Sequence, residues 1–394
     1  MKVTDVRTTT IEGNFDWILV KVYTDEGISG LGEIYAGTIG GAMAGLMKPF
    51  LLGEDPLDVD RLYWKLYSAF LRESGASALA AISGIETALW DIAGKALRVP
   101  AYRLLGGKYR DEVRVYADCA AGESDEEGGA EEEIHLGPVV LKGVHTPEAY
   151  AAKARRVKGQ GYDAIKFDLD LPARLRPDPY NRCMSNEDLA YRVRLVDAVR
   201  AAVGGNLDLA FDCHWQYSVK DAIRLADKLE PYDLLWLEDP ISSENASAMA
   251  KVSRRSPVPI CTGEHKVGRQ GFRELVEKQA ADILSPDVQK AGGILETKKI
   301  ADYTDQYYIP LAPHNIASPV GTVAAVHMSA SIPNFLALEF HANDIPWWGK
   351  LLRPEGRPVV KQGRIALPSG PGLGIELDDA EVRKHLKKGS RPLP

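Results

Sequence analysis

DLAFDCHWQYSVKDAIRLADKLEPYDLLWLEDP, residues 208–240, decides the fold. It opens on a short apolar run that ends at a carboxylate, Asp212. It then passes through the amphipathic SVKDAIRLADKLEPY and closes on a second apolar run ending at Glu238. Working outward, the same unit recurs about every 25 residues, with Lys166 in AIKFDLD, Glu264 in PICTGEH, Asp287 in ADILSPDVQ, His314 in YIPLAPHN and Glu339 in FLALEF. Apolar runs with little polar alternation, separated by amphipathic helices, predict a parallel sheet buried on both faces. With VRVYADC (113–119) in front, eight such units fit between residues 113 and 340, and eight strands close a barrel. No Gly-rich fingerprint follows any run, which weighs against an open doubly wound sheet.

The segments on either side read differently. WILVKVYT, the turn Asp25-Glu26-Gly27 and ISGLGEI predict antiparallel strands, and residues 41–105 carry a helical pattern, with Ile82, Ile85, Leu89 and Ile92 on one face. This gives an α+β unit over 1–112, a barrel over 113–364 and a segment, 365–394, that packs back on the first unit. Two insertions begin at the rim where the strands end: the acidic GESDEEGGAEEEIHLGP (122–138), read as a solvated loop, and PARLRPDPYNRCMS (172–185). A net charge of −7 excludes a basic nucleic-acid-binding face. Cys119, Cys183, Cys213 and Cys261 form no close-spaced pair, so reduced thiols in a reducing cytoplasm are expected. Neither a secretory h-region nor an 18-residue apolar span is visible.

Charged groups at the ends of buried strands are expensive to place and mark the active-site rim of a barrel. Asp212, Glu238 and Glu264 lie 26 residues apart, on three neighbouring strands. Three adjacent carboxylates repel one another unless a cation neutralises them, and an all-oxygen set suits Mg2+. Asp287 and His314, on the next two strands, form a candidate general-base dyad. Lys166 and Asp168 share a face, and substrate carboxylate or Asp168 is the expected partner of the lysine. His214, two residues beyond Asp212, points into the pocket on the strand opposite His314. Glu339 is a candidate oxyanion or substrate contact, and His341 a candidate hydroxyl contact. Phe15, Trp17, Trp215, Trp347 and Trp348 are candidate lid aromatics, Trp17 foremost among them as a substrate contact.

Across almost its whole length the chain resembles the mandelate-racemase-like branch of the enolase superfamily. The resemblance rests on SGIETALWDIAGKALRVPAYRLLGG, the Asp212/Glu238/Glu264 series, the Asp287/His314 dyad, SPDVQKAGGI and the closing PGLGIELD. It implies a modified (β/α)7β TIM-like barrel under an N-terminal α+β capping domain, Mg2+ binding, and abstraction of a proton α to a carboxylate. Homo-oligomerisation is implied by the resemblance alone. Racemases of this branch carry Lys-x-Lys where this chain has Lys166-Phe167-Asp168, so the second base is missing. Asp212-Cys213-His214 is instead similar to the sugar-acid dehydratases. The implied reaction takes the C2 proton of an aldonate with His314 and protonates the leaving C3 hydroxyl with His214. A hydroxy-acid racemase or epimerase and a non-catalytic sugar-acid-binding paralogue are the alternatives.

Overall fold

The computed structural model describes residues 1–36, 39–122, 132–136, 139–171 and 182–393. Three antiparallel strands come first: β1 (Val3–Glu12), β2 (Asp16–Thr24) and β3 (Ser29–Ile34), with Val6 opposite Val22 and Ile18 opposite Ile34. Helices α1 (Gly40–Leu51), α2 (Val59–Leu97) and α3 (Ala101–Leu104) complete this capping unit. The predicted apolar face of α2 is buried, and the helix lies tight against β3: a Cβ on Gly32 would sit 2.0 Å from the Gly84 carbonyl oxygen. No helix among the described residues is long and apolar enough to cross a membrane.

The barrel begins with β4 (Glu112–Asp118). A hairpin of β5 (Glu132–Leu136) and β6 (Val139–Gly143) follows, where the sequence predicts a solvated loop. Glu133-Ile134-His135-Leu136 alternates polar and apolar residues, a strand period obscured by the acidic run around it. Residues 123–131 and 137–138, and 172–181 of the second insertion, lie outside the described residues.

Strands and helices then alternate: α4 (Pro147–Gly159), β7 (Ala164–Asp168), α5 (Asn186–Val203), β8 (Asp208–Asp212), α6 (Val219–Leu229), β9 (Trp236–Glu238), α7 (Ala246–Ser253), β10 (Ile260–Thr262), α8 (Gly268–Glu277), β11 (Ile283–Leu284), α9 (Ile294–Asp305), α10 (Pro319–Ala330) and β12 (Leu338–Phe340). The parallel order β11-β10-β9-β8-β7-β4 closes because β12 pairs with β4, Leu338 opposite Val115. The seventh unit, YIPLAPHN, is reduced to single bridges from Leu311 to Leu284 and Phe335. Pro310 and Pro313 flank Leu311 and lack the N–H that a regular ladder needs. β12 is followed by a short 3-10 turn (Trp348–Leu351) and not by a regular barrel helix, which gives the (β/α)7β arrangement. Helix starts are set locally: Ser185, Ser218 and Thr146 each accept a backbone N–H in the first turn of α5, α6 and α4.

After the barrel, β13 (Val360–Lys361) and β14 (Arg364–Ala366) form a hairpin whose second strand runs antiparallel to β4, and α11 (Asp379–Lys384) follows. This return contacts the first unit through an Ile11–Leu386 bridge and through Leu373 N–H, which donates to Asp91 at 2.8 Å. Cys119, Cys213 and Cys261 are buried thiols outside any disulfide.

His327 of α10 joins three parts of the chain. Its Nδ1 accepts from the Tyr102 N–H at 3.3 Å and its Nε2 donates to the Leu373 carbonyl at 3.1 Å. Burial holds this imidazole down at about 4. Its folded value is below the unfolded one, so the stabilisation is complete above about pH 6.5 and is lost as pH falls towards 4. A shift of that size corresponds to about 3 kcal/mol. Denaturant melts from pH 7.5 to 4.5 should therefore show an acid loss in wild type that is smaller by about 2.5 kcal/mol in H327Q, since the remainder falls below pH 4.5.

Candidate active site

The barrel interior is plugged by a layer of large and small side chains. Tyr116 and Trp236 meet edge-on at 5.1 Å, and Ala164, Ala210, Ala312 and Ala337 fill the spaces between. Side chains on a strand repeat every second residue. One step above this plug therefore stand Asp118, Lys166, Asp212, Glu238, His314 and Glu339, all buried. Glu264 is three residues beyond the buried Cys261 because the chain turns at Gly263, whose φ is +135°. A Cβ there would lie 2.9 Å from the Phe272 ring, so the turn that delivers Glu264 requires glycine.

Asp212, Glu238 and Glu264 each present an oxygen, all within 4.8 Å of one another. Glu238 Oε1 is buried without a hydrogen-bond partner, while its Oε2 takes the Trp236 indole N–H at 2.9 Å. Burial pushes Glu238 up to about 7, against the pull of Lys166. An orphaned carboxylate oxygen facing two further carboxylates fits a hard divalent cation. Two other clusters, Asp168/Asp170/His214 and Asp239/Glu264/His265, each include an imidazole already paired with a carboxylate and fit a hard cation less well.

Lys166 does not pair with Asp168. Its ammonium lies 2.8 Å from Glu339, 3.2 Å from both Asp212 and Glu238, and 3.7 Å from Asp118. Burial works against the charge, yet Glu238 and Glu339 hold it well above the usual lysine range. The residue is thus a fixed positive charge beneath the triad. Burial pushes Glu339 up to about 8, and its Oε2 accepts the Asn315 N–H at 2.9 Å.

His314 Nδ1 is 2.6 Å from Asp287 Oδ2, leaving Nε2 turned to the carboxylate rim, 3.6 Å from Glu264 and 3.7 Å from Glu339. Burial opposes its charge, but Glu339, Glu264 and Asp287 raise the imidazole to about 10. Across the triad, His214 Nδ1 lies 3.2 Å from Asp170 and Nε2 lies 3.7 Å from Asp212. Glu264 is held well below the usual range because His314, His265 and His214 outweigh its burial.

The outer contacts depart from the sequence reading at one candidate. Trp17 has no exposed surface, and its indole N–H is taken by the Ile316 carbonyl at 3.0 Å. It packs edge-on against Trp347, so in this structure it is a buried packing residue whose polar atom is already taken. Phe15 instead meets His341 edge-on at 5.0 Å, and Asn14 donates to His341 Nδ1 at 3.0 Å, so His341 Nε2 carries the proton towards Asp118. Trp348 is buried, Trp347 stacks on His385, and Trp215 packs edge-on against His265.

Sequence reasoning missed several residues. Asp118 ends β4, the first strand of the barrel, and is found by the same two-residue step as the others, here from Tyr116. Lys290 lies in the turn that follows Asp287, where no strand period points to it. It donates to His265 Nδ1 at 3.0 Å, while His265 Nε2 reaches Glu264 at 2.6 Å. Asp170 continues the two-residue step of Lys166 and Asp168 past the end of β7, and Asn14 lies outside the regular strands, where no period marks it.

Two family models match the chain: "Enolase C-terminal domain-like" over residues 149–382 and "Mandelate racemase / muconate lactonizing enzyme, N-terminal domain" over 4–106. The D-xylonate dehydratase of Haloferax volcanii is 46% identical over 98% of this chain and 90% of its own length. A D-galactonate dehydratase of Ralstonia pickettii is 31% identical over 98% and 95%. Among solved structures, a mandelate racemase/muconate lactonizing enzyme-like protein from Rubrobacter xylanophilus superposes with a TM-score of 0.92 at 42% identity, covering 100% of this chain and 99% of that one. With a capping unit, a (β/α)7β barrel and this rim of carboxylates, the chain belongs to the mandelate racemase/muconate lactonizing enzyme family of the enolase superfamily.

Proposed function

We propose that this protein is a Mg2+-dependent aldonate dehydratase, with D-xylonate the first substrate to assay. One observation carries the reading: two histidines, each with its own buried carboxylate, approach one carboxylate triad from opposite strands. The names of its relatives, xylonate, galactonate and gluconate dehydratases, support the same class. A racemase needs a lysine or other base at the place where Asp168 stands.

Asp212, Glu238 and Glu264 would hold the ion, which would supply positive charge for the enediolate formed when the carbon α to the substrate carboxylate gives up its C2 proton. His314 accepts that proton at Nε2 in its neutral form, which a cation held by Glu264 would favour by offsetting the carboxylates that raise the imidazole, and Asp287 occupies Nδ1 and sets the ring. Lys166 fixes a positive charge below the developing enediolate, and Glu339, when protonated, donates to its oxygen. His214 then delivers a proton to the C3 hydroxyl. The C3–O bond breaks with its electron pair, water leaves, and the enol tautomerises to a 2-keto-3-deoxy acid.

Calorimetric titration should find one Mg2+ site per chain in wild type and none in D212N or E238Q. A hundredfold excess of Mg2+ over its Kd should stabilise wild type by ~2.7 kcal/mol. Keto-acid formation from D-xylonate should vanish with chelator and return with Mg2+. Turnover that survives chelation would overturn the metal assignment.

A further inference from the structure

We infer that Asp170, on the turn leaving β7, is the positioning residue for His214, and that Arg192 and Tyr217 hold this turn in place. This rests on the reading of His214 as the proton donor. Asp170 is buried, and its Oδ2 is the atom facing His214 Nδ1, at 3.2 Å. The other nitrogen, Nε2, is the one that faces the triad, 3.7 Å from Asp212. Asp168 shares the cluster, but the carboxylates within ion-pair distance of the ring are those of Asp170 and Asp212.

The turn itself is built with unusual care for a loop. The two carbonyls that flank Asp170, those of Leu169 and Leu171, both accept from the buried guanidinium of Arg192. Tyr217 takes the Arg192 Nε–H at 2.6 Å and donates its own hydroxyl to the Leu169 carbonyl. Leu169 N–H donates to the Asp212 carbonyl at 2.6 Å, tying the turn to the metal-binding strand. Arg192 also donates to the Asp188 carbonyl of its own helix at 3.0 Å, so its buried guanidinium replaces lost hydration with bonds to the turn, to Tyr217 and to α5. From the other side, His214 and Trp215 both adopt left-handed backbone, with φ of 38° and 66°, the strained conformation that brings the imidazole round to Asp170.

The consequence for the reaction is specific. When Nε2–H is transferred to the C3 hydroxyl, the C3–O pair leaves as water and the ring becomes neutral, its remaining proton on Nδ1 against Asp170. Asp170 thus fixes which nitrogen gives up its proton. C2 proton removal, which belongs to His314, does not depend on it.

The test measures elimination and C2 hydrogen–deuterium exchange together, with Mg2+, on whichever of D-xylonate, D-gluconate and D-galactonate wild type turns over fastest. D170N should lower the kcat for elimination about 100-fold, the scale of a misplaced reacting group. KM and the C2 exchange rate should stay within about threefold, well inside that effect. D170N/H214N should be no slower than H214N. In substrate-free protein labelled with 15N-histidine, the His214 Nδ1–H resonance should be shifted or lost in D170N. Y217F, which removes only one bond to the turn, should lower the ratio of elimination to exchange should D170N not fold. Elimination by D170N within threefold of wild type, an unchanged ratio in Y217F, or D170N and H214N effects that multiply would overturn the inference while leaving His214 as the donor. Normal elimination by H214N would instead remove the reading on which it rests.

Discussion

H314N should lose both C2 exchange and dehydration, each by about 10³-fold or more, the range for removing a general base. That is ~4 kcal/mol of transition-state stabilisation. The reason is geometric: His314 Nε2 is the only imidazole nitrogen that combines a carboxylate-anchored ring, through Asp287, with a place beside both Glu264 and Glu339 among the described residues. Asparagine retains a polar group near Asp287 but cannot take a proton. Substrate should still bind, since the triad and Lys166 are untouched. A thermal melt within a few degrees of wild type would show that the fold survives. Exchange at the wild-type rate in H314N would place the base elsewhere.

H214N should separate the two half-reactions. Dehydration should fall by about 10²–10³-fold, because hydroxide is a poor leaving group without an acid. C2 exchange should remain readily measurable, because His314 and its partner lie on other strands. Proton NMR in D2O reads both at once, as loss of the C2 signal and as appearance of the keto acid. Parallel loss of exchange and elimination would assign His214 to substrate binding or to support of Asp212, whose Oδ1 accepts the His214 N–H at 2.9 Å.

The site is legible in the sequence where strand periodicity carries it. Asp212, Glu238, His314 and Glu339 each follow an interior residue by two positions, so an apolar run ending in a polar group announces them. The barrel is legible for the same reason, although the prolines beside Leu311 leave its seventh strand as bridges. What escapes depends on backbone paths that no period encodes. Asp170 meets His214 on a turn past the end of β7 whose carbonyls are held by Arg192 and Tyr217, residues distant in sequence. An aromatic near a loop looks the same in sequence whether it faces a pocket or a carbonyl, which is why Trp17 reads there as a substrate contact; here the Ile316 carbonyl takes its N–H. Sequence places Lys166 beside Asp168, its neighbour on the strand, but four carboxylates from other strands converge on it.

The most direct test is the reaction of wild type with D-xylonate and Mg2+ in D2O, followed by NMR and mass spectrometry. Proton abstraction, loss of the C3 hydroxyl and tautomerisation predict a 2-keto-3-deoxy acid carrying one solvent deuterium at C3. Recovery of an aldonate deuterated and inverted at C2, with no keto acid, would contradict dehydration and identify a racemase or epimerase. With D-gluconate and D-galactonate run alongside, the absence of keto acid from all three would contradict the account at its centre.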